Sequence, residues 1–285
     1  MASKDKAFYS KNTLNLNGNL LEVSIPKIMG ILNVTDDSFY DGKRFLDEHE
    51  ISKQVEKLIN DGADIIDIGG YSSRPGAIDI DERTELKRVL KGISSTRDVS
   101  KQIPISVDTF RSNVARESIE SGAAMINDIS GGNIDSQMFK MIAEYQVSYV
   151  LMHMIGNPQS MFTNVVYDDL IGDMLDYLSK KLQELTHFGI KDVIIDVGFG
   201  FSKTALENYE LLSALELIGV LNTPLMVGLS RKSMIYKVLK TDPEHALNGT
   251  SVLHTISLLS GVDILRVHDA REAKEVIDLV KLLNN

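Results

Sequence analysis

The residues of this chain that could do chemistry stand at the ends of short apolar runs. Run after run closes on a polar or charged side chain: Asn33, Asp67, Asp108, Asn127, His153, Asp196, Lys232, Arg266 and His268. Asp108, Asn127 and Asp196 suit a flat heterocycle that displays N–H groups. An ionised carboxylate only accepts hydrogen bonds, an amide both donates and accepts, and Lys232 only donates, as a ring carbonyl or ring nitrogen requires. Arg266 can lay its planar guanidinium on a ring or grip an anion. Asn33, Arg74, Arg266 and His268 point to an anion, because Arg and protonated His make charge-assisted bonds to phosphate oxygens. Asn33 with Asp41 nearby offers too few oxygens for a dedicated metal cage. That sparse set fits Mg²⁺ that takes its other ligands from water and a bound diphosphate. The chain has no cysteine, and no His-x-x-x-His or Glu-rich spacing supports zinc. His49, His187, His245 and His254 fall on helical patterns, and the methionines at 125, 138, 141, 152 and 154 follow strand or helix faces as packing residues.

These side chains meet only if the elements carrying them converge. Thr13–Val23 alternates around Asn17-Gly18, which predicts a hairpin with a type I′ turn. After Pro26, apolar runs of strand length alternate with helical patterns. The runs are Lys27–Leu32, Asp64–Ile68, Pro104–Val107, Ala123–Ile126, Val147–Met152, Asp192–Asp196, Pro224–Leu229 and Val262–Leu265. Helices are expected near Glu50–Asn60, from Asp81, from Arg111, and over Ser136–Tyr145, Asp168–Phe188, Thr204 onward, Ser233–Leu239, Glu244–Ser260 and Arg271–Leu283. This repetition without a long linker predicts one (β/α)8 barrel over residues 26–285, with residues 1–25 as a tail and hairpin packed on one end. An open doubly wound sheet would show a phosphate-binding glycine fingerprint after its first strand, and Gly30-Ile-Leu-Asn is not one. In a barrel every strand ends at the same mouth, so the polar set is expected to share one pocket.

Composition narrows the partners. A chain of 285 residues that is 43% hydrophobic and 25% charged has material for a full core. Its net charge of −10, with no basic block, disfavours nucleic acid. No apolar run reaches the roughly 18–20 residues that span a bilayer, and Met1–Asn12 lacks the apolar segment of a signal peptide, so a cytoplasmic location is expected.

The motifs also carry a resemblance. Gly30-Ile-Leu-Asn-Val-Thr-Asp-Asp-Ser-Phe, Gly69-Gly-Tyr-Ser-Ser-Arg-Pro-Gly, Ser106-Val-Asp-Thr, Asn127-Asp-Ile, Asp196-Val-Gly-Phe-Gly-Phe, Ser230-Arg-Lys-Ser and Arg266-Val-His-Asp resemble, in order, those of the dihydropteroate synthase family. The resemblance implies a transferase of folate synthesis. It would join 6-hydroxymethyl-7,8-dihydropterin diphosphate to 4-aminobenzoate, with Mg²⁺, and be a target of sulfonamides, which mimic aminobenzoate. It implies that Asp108, Asn127, Asp196 and Lys232 hold the pterin with Arg266 over it. Asn33, Ser73, Arg266 and His268 would take the diphosphate, with Asn33 at the metal. Phe39, Ser73, Pro75, Phe201, Lys203 and Ser233 would border the aminobenzoate. Asp41 and Arg74 would act with Lys232, Arg266 and His268 in catalysis from loops that close over the site. A homodimer is what the family suggests. The alternatives are a methyltetrahydrofolate–corrinoid methyltransferase and a non-catalytic pterin-binding paralogue. The chain departs from the common pattern at Asp36 and Val197, where Pro is usual, at Tyr71, where Glu is usual, and at Ser73, where Thr is usual.

Overall fold

The computed structural model of the chain describes residues 13–35, 47–72, 79–157 and 165–283. It opens on an antiparallel hairpin, β1 (Thr13–Leu16) and β2 (Asn19–Glu22), turned by Asn17 and Gly18 at φ +53° and +86°. Both turn residues lie in the left-handed region that a type I′ turn needs.

The βα units follow: β3 (Lys27–Asn33) and α1 (Glu48–Asn60), β4 (Ile65–Gly69) and α2 (Glu82–Val99), β5 (Ile105–Asp108) and α3 (Ser112–Glu120), β6 (Met125–Asp128) and α4 (Met138–Tyr145). Next come β7 (Ser148–Met152) and α5 (Leu170–His187), then β8 (Val193–Asp196) with α6 (Ala205–Ser213) and the short α7 (Leu215–Ile218). Then β9 (Leu225–Val227) leads to α8 (Ser233–Tyr236) and α9 (Leu247–Leu259), and β10 (Ile264–Val267) to α10 (Ala270–Leu283). The strands β3 to β10 pair in parallel and close into an eight-stranded barrel, with β10 returning to β3. Helix boundaries fall within a few residues of those expected. Local chemistry sets several starts: Asp81 caps α2 through Thr84 N at 2.7 Å, and Thr204 with Glu207 forms a capping box on α6. The segment after Thr204 breaks at Ala214 into α6 and α7 rather than continuing as one helix.

Side chains alternate along each strand, so one parity points into the lumen and the other packs under the helices. The outward set forms the larger apolar cluster, including Ile28, Leu32, Ile66, Ile68, Val107, Ile126, Leu151, Ile195 and Val227. The inward set starts apolar at the bottom of the barrel, with Met29, Ile65, Met125, Val150, Ile194, Met226 and Ile264. Leu14, Leu16 and Val23 of the hairpin segment join that cluster. The hairpin is pinned there by Asn15 N to Asp192 Oδ1 at 3.0 Å and by Ser148 Oγ to Asn15 O at 2.9 Å. It closes the mouth opposite the strand C-termini with apolar side chains, and so turns the lumen into packed core.

Candidate active site

Moving two residues up β4, β6, β8 and β10 changes the lumen from apolar to polar. Ile65 is followed by Asp67, Met125 by Asn127, Ile194 by Asp196 and Ile264 by Arg266, with His268 two further on. The strand register sets Asp67 beside Ser106, Asp108 beside Asn127, and Met152 beside Asp196. The polar strand ends are therefore one layer at the C-terminal mouth.

Arg266 ties that layer together. Its Nε donates to Asp67 Oδ2 at 2.6 Å and its Nη2 to Asp108 Oδ2 at 2.6 Å. Asn127 Nδ2 also donates to Asp67 Oδ2, at 3.1 Å. Burial works against the Arg266 charge, but Asp67 and Asp108 outweigh it and hold the guanidinium proton above its ordinary range. Asp108 titrates instead. Its carboxyl is lifted to about 7, by burial first and then by Asp67, Glu85 and Asp128, with Arg266 opposing.

Asp196 ends β8, where its Oδ1 accepts the N–H of Gly198 at 2.8 Å. Burial raises its carboxyl, against the pull of Lys232, the Gly198 N–H, Arg266 and Lys203. Lys232 lies across from it, with its Nζ donating to Phe199 O and standing 4.5 Å from the Phe201 ring centroid. Burial, and then Arg266, push Lys232 down to about 8, while Asp196 and Asp108 hold it up. The intervening turn must be glycine at 198: φ is +69°, and a Cβ there would lie 2.2 Å from His153 O.

The loop after β8 is braced from behind. Lys203 is buried, and its Nζ meets His153 Nδ1 at 3.1 Å, Gly198 O at 3.2 Å and Phe201 O at 3.1 Å. Those three contacts use its three donors. Ser202 Oγ accepts from Ile155 N and donates to Ile155 O, and Tyr167 OH donates to Ser202 O. His153 does not share the mouth with the other strand-end residues. Met152 has the inward parity on β7, so the next side chain turns out of the lumen, edge-on to Tyr177 at 5.0 Å. Burial first, and Lys203 beside it, depress its pKa to about 3, so it sits as a neutral acceptor for Lys203.

His268 continues the inward parity of β10, and Ser230 Oγ lies 3.1 Å from its Nδ1. Ser233 begins α8, half-buried beside Lys232. Arg231 of the same motif faces elsewhere, with its guanidinium on Asp269 at 2.7 and 2.9 Å. Asn33 ends β3 opposite Gly69, whose missing Cβ leaves room for the amide: a Cβ there would stand 3.2 Å from Asn33 Oδ1. Among the described residues no group of His, Asp or Glu side chains forms a metal cage. The Asn33 amide oxygen is the kind of single hard ligand that Mg²⁺ would take alongside water and phosphate oxygens. Phe39, Asp41, Ser73, Arg74 and Pro75 lie outside the described residues.

An apolar rim completes the mouth; the sequence reading places Phe201 near it but takes Met152 and Met154 as packing and misses Phe110 and Ile129. Phe110, Ile129, Met152 and Met154 cluster there, with Tyr71 and Phe201 packed against them. The available signal was position, since each follows a polar strand end or occupies the last strand residue. The rim places apolar side chains beside the polar layer, which is the composition of a slot for a flat ring.

Comparison with known proteins decides the family. The family model described as pterin binding enzyme matches residues 29–268. The dihydropteroate synthase of Synechocystis is 40% identical over 259 residues, covering 90% of this chain and 89% of that protein. That of Escherichia coli K12 is 38% identical over 266 residues, covering 93% and 94%. The chain belongs to the dihydropteroate synthase family.

Solved structures of that family share the fold. A Yersinia pestis dihydropteroate synthase in a sulfonamide complex superposes with a TM-score of 0.89 at 34% identity, covering 95% of this chain and 98% of that one. A Xanthomonas albilineans dihydropteroate synthase solved with 4-aminobenzoic acid gives 0.89 at 33%, covering 96% and 98%. As a dihydropteroate synthase family member the chain is a transferase of folate biosynthesis, which favours that reading over the corrinoid methyltransferase and the non-catalytic paralogue. Two departures from the family pattern have structural partners here. Tyr71 packs edge-on to Phe110 at 5.1 Å and donates to Asp79 at 3.1 Å. Val197 is fully buried in the main core.

Proposed function

We propose that this chain joins 6-hydroxymethyl-7,8-dihydropterin diphosphate to 4-aminobenzoate, and that the polar layer at the barrel mouth holds the pterin. The observation that carries the reading is the set Asp108, Asn127, Asp196, Lys232 and Arg266 at one mouth. Asp196 keeps Oδ2, and Asn127 keeps Oδ1, for ring N–H and amino donors, while Lys232 donates to a ring acceptor. Arg266 spends Nε and part of Nη2 on carboxylates, which leaves its remaining N–H groups and its flat face for the ligand.

In the reaction the bond from the exocyclic carbon to the diphosphate oxygen breaks, and the aniline nitrogen forms a bond to that carbon and loses a proton. Arg266 and His268, with Asn33 and Ser73, take the charge that develops on the diphosphate. Asp108 and Asp196 face the ring and favour positive charge developing on the pterin. An arylamine attacking such a carbon needs little help from a general base. Phe201 and Ser233, with Phe39, Ser73 and Pro75, border the arylamine. Lys203 contributes through the loop it braces, since its ammonium turns inward. Asp41 and Arg74 act from the loops after β3 and β4. Asn33 would hold Mg²⁺, which when bound would supply charge neutralisation for the departing diphosphate.

We also propose a homodimer and a cytoplasmic location. The outer face of α9 exposes Val252, Ile256 and Leu259 at helical spacing, a stripe suited to a second copy. No helix among the described residues is long and apolar enough to cross a membrane.

The test incubates purified protein with the pterin diphosphate, Mg²⁺ and 4-aminobenzoate. Diphosphate release that depends on the arylamine is the expected result. Tight pterin binding with no turnover would overturn the catalytic assignment.

A further inference from the structure

We propose that Asp67 is the positioning residue of the pterin pocket, fixing the Arg266 guanidinium and the Asn127 amide and so deciding which atoms each presents to the ligand. The inference rests on the pocket reading given above. Asp67 is fully buried in the lumen and spans it, bonding to residues 199 positions away on β10 and 60 positions away on β6. Each bond has a directional consequence.

An ionised carboxylate can only accept, so the edge of Asn127 that faces Asp67 must be its NH₂. The carbonyl edge is thereby turned away, and Asn127 Oδ1 is buried with no donor among the described residues. Asp67 Oδ1 is buried and undonated in the same way. Buried acceptors without donors cost free energy, and two of them in one polar layer mark a place prepared for a donor from outside the protein. Asp67 thus makes Asn127 a reader of N–H groups rather than of carbonyls.

The same carboxylate keeps Arg266 from a forked pairing with Asp108. With Nε on Asp67 and Nη2 on Asp108, the guanidinium is pinned by carboxylates from two strands and its plane is set. Without Asp67, both edges of Arg266 could close on Asp108, which would withdraw that carboxylate from the ring. Along both routes Asp67 acts by way of Arg266 and Asn127, and its own Oδ1 faces the same polar layer without a donor among the described residues.

The test is Asp67→Asn, nearly isosteric, measured by calorimetry with the pterin diphosphate and by steady-state kinetics. Pterin diphosphate affinity should fall about ten- to a hundredfold, the range for losing hydrogen bonds to a charged group. The KM for 4-aminobenzoate should change less than about threefold, whereas a general loss of structure would move both. In an Asn127→Ala background the Asp67→Asn loss should shrink, since the two act as one unit. Asp67→Ser, which brings no amide hydrogens against Asn127, is held to the same selective loss should Asp67→Asn fold poorly. Wild-type affinity in these variants, equal losses for both substrates, or full additivity with Asn127→Ala would overturn the proposal while leaving the pocket reading intact. Failure of the wild-type protein to bind the pterin diphosphate would remove the pocket reading and this proposal with it.

Discussion

Asp196 and Lys232 show how far single residues carry the chemistry. Replacing Asp196 by Ala should abolish measurable pterin binding, because ring donors lose their acceptor and Lys232 loses its nearest counter-charge; an unchanged dissociation constant would refute the role. The titrations predict a bell-shaped pH dependence of affinity. Asp108 is lifted to about 7, so the carboxylate that accepts from the ligand is lost as pH falls below that value. Lys232 is pushed down to about 8, so its charge is lost as pH rises past it. Calorimetry across pH 6–9 should therefore find the tightest binding between those values. Asp108→Asn should flatten the acid limb, and Lys232→Gln the alkaline one. Either limb surviving its own variant would assign that titration to another group.

At the scale of elements, the loop after β8 is a brace between neighbouring barrel units. Lys203 ties it to His153 behind β7, and Ser202 ties it to Ile155. Asp196 is placed by its strand and meets the brace only through Gly198 and the Lys203 charge, whereas the Phe201 ring sits on the loop itself. Lys203→Met should therefore raise the KM for 4-aminobenzoate by about tenfold, the cost of a lost hydrogen bond or two. Pterin affinity should change little. The reverse pattern would place Lys203 among the pterin contacts. The sequence revealed Lys203 as part of a motif but not which way its ammonium turns, since loop direction depends on the three acceptors that the fold assembles. His153 shows the same limit. It ends an apolar run like the others, and only the strand parity, read against Met152, turns it out of the mouth.

The whole molecule has a pH response of its own. His153 and His254 are buried and held neutral, with pKa values depressed to about 3 and about 4. Their contribution to stability is present above the ordinary value of 6.5 and is lost as pH falls toward 4. Asp108, raised from 3.8 to about 7, pulls the other way throughout that range. The variant difference isolates the histidine term. Denaturant unfolding of His254→Leu should depend less steeply on pH between about 4 and 6.5, by up to one proton. His254 Nε2 has no hydrogen-bond partner among the described residues, so the change orphans no group through that atom. An unaltered slope would mean that His254 does not carry the term. For assembly, Val252→Lys with Ile256→Lys on the exposed stripe of α9 should leave a monomer by light scattering. A dimer that persists in that variant would move the interface to another face.

The sequence by itself determined the succession of βα units, the hairpin turn at Asn17-Gly18 and the placing of Asp108, Asn127, Asp196, Arg266 and His268 at strand ends. These follow from local periodicity and turn chemistry, which act over a few residues and so are written in the chain. It also contained the step from apolar to polar two residues along β4, β6, β8 and β10, because side-chain alternation needs no partner. Only the tertiary structure decided what those ends do to one another. The Asp67–Arg266 bond joins positions 199 residues apart. The closure of β10 on β3, the register across the barrel and the burial that shifts Asp108 and Lys232 exist only once every strand is in place. Hydrogen-bond direction and desolvation are properties of the assembled lumen, so no reading of neighbouring residues could supply them.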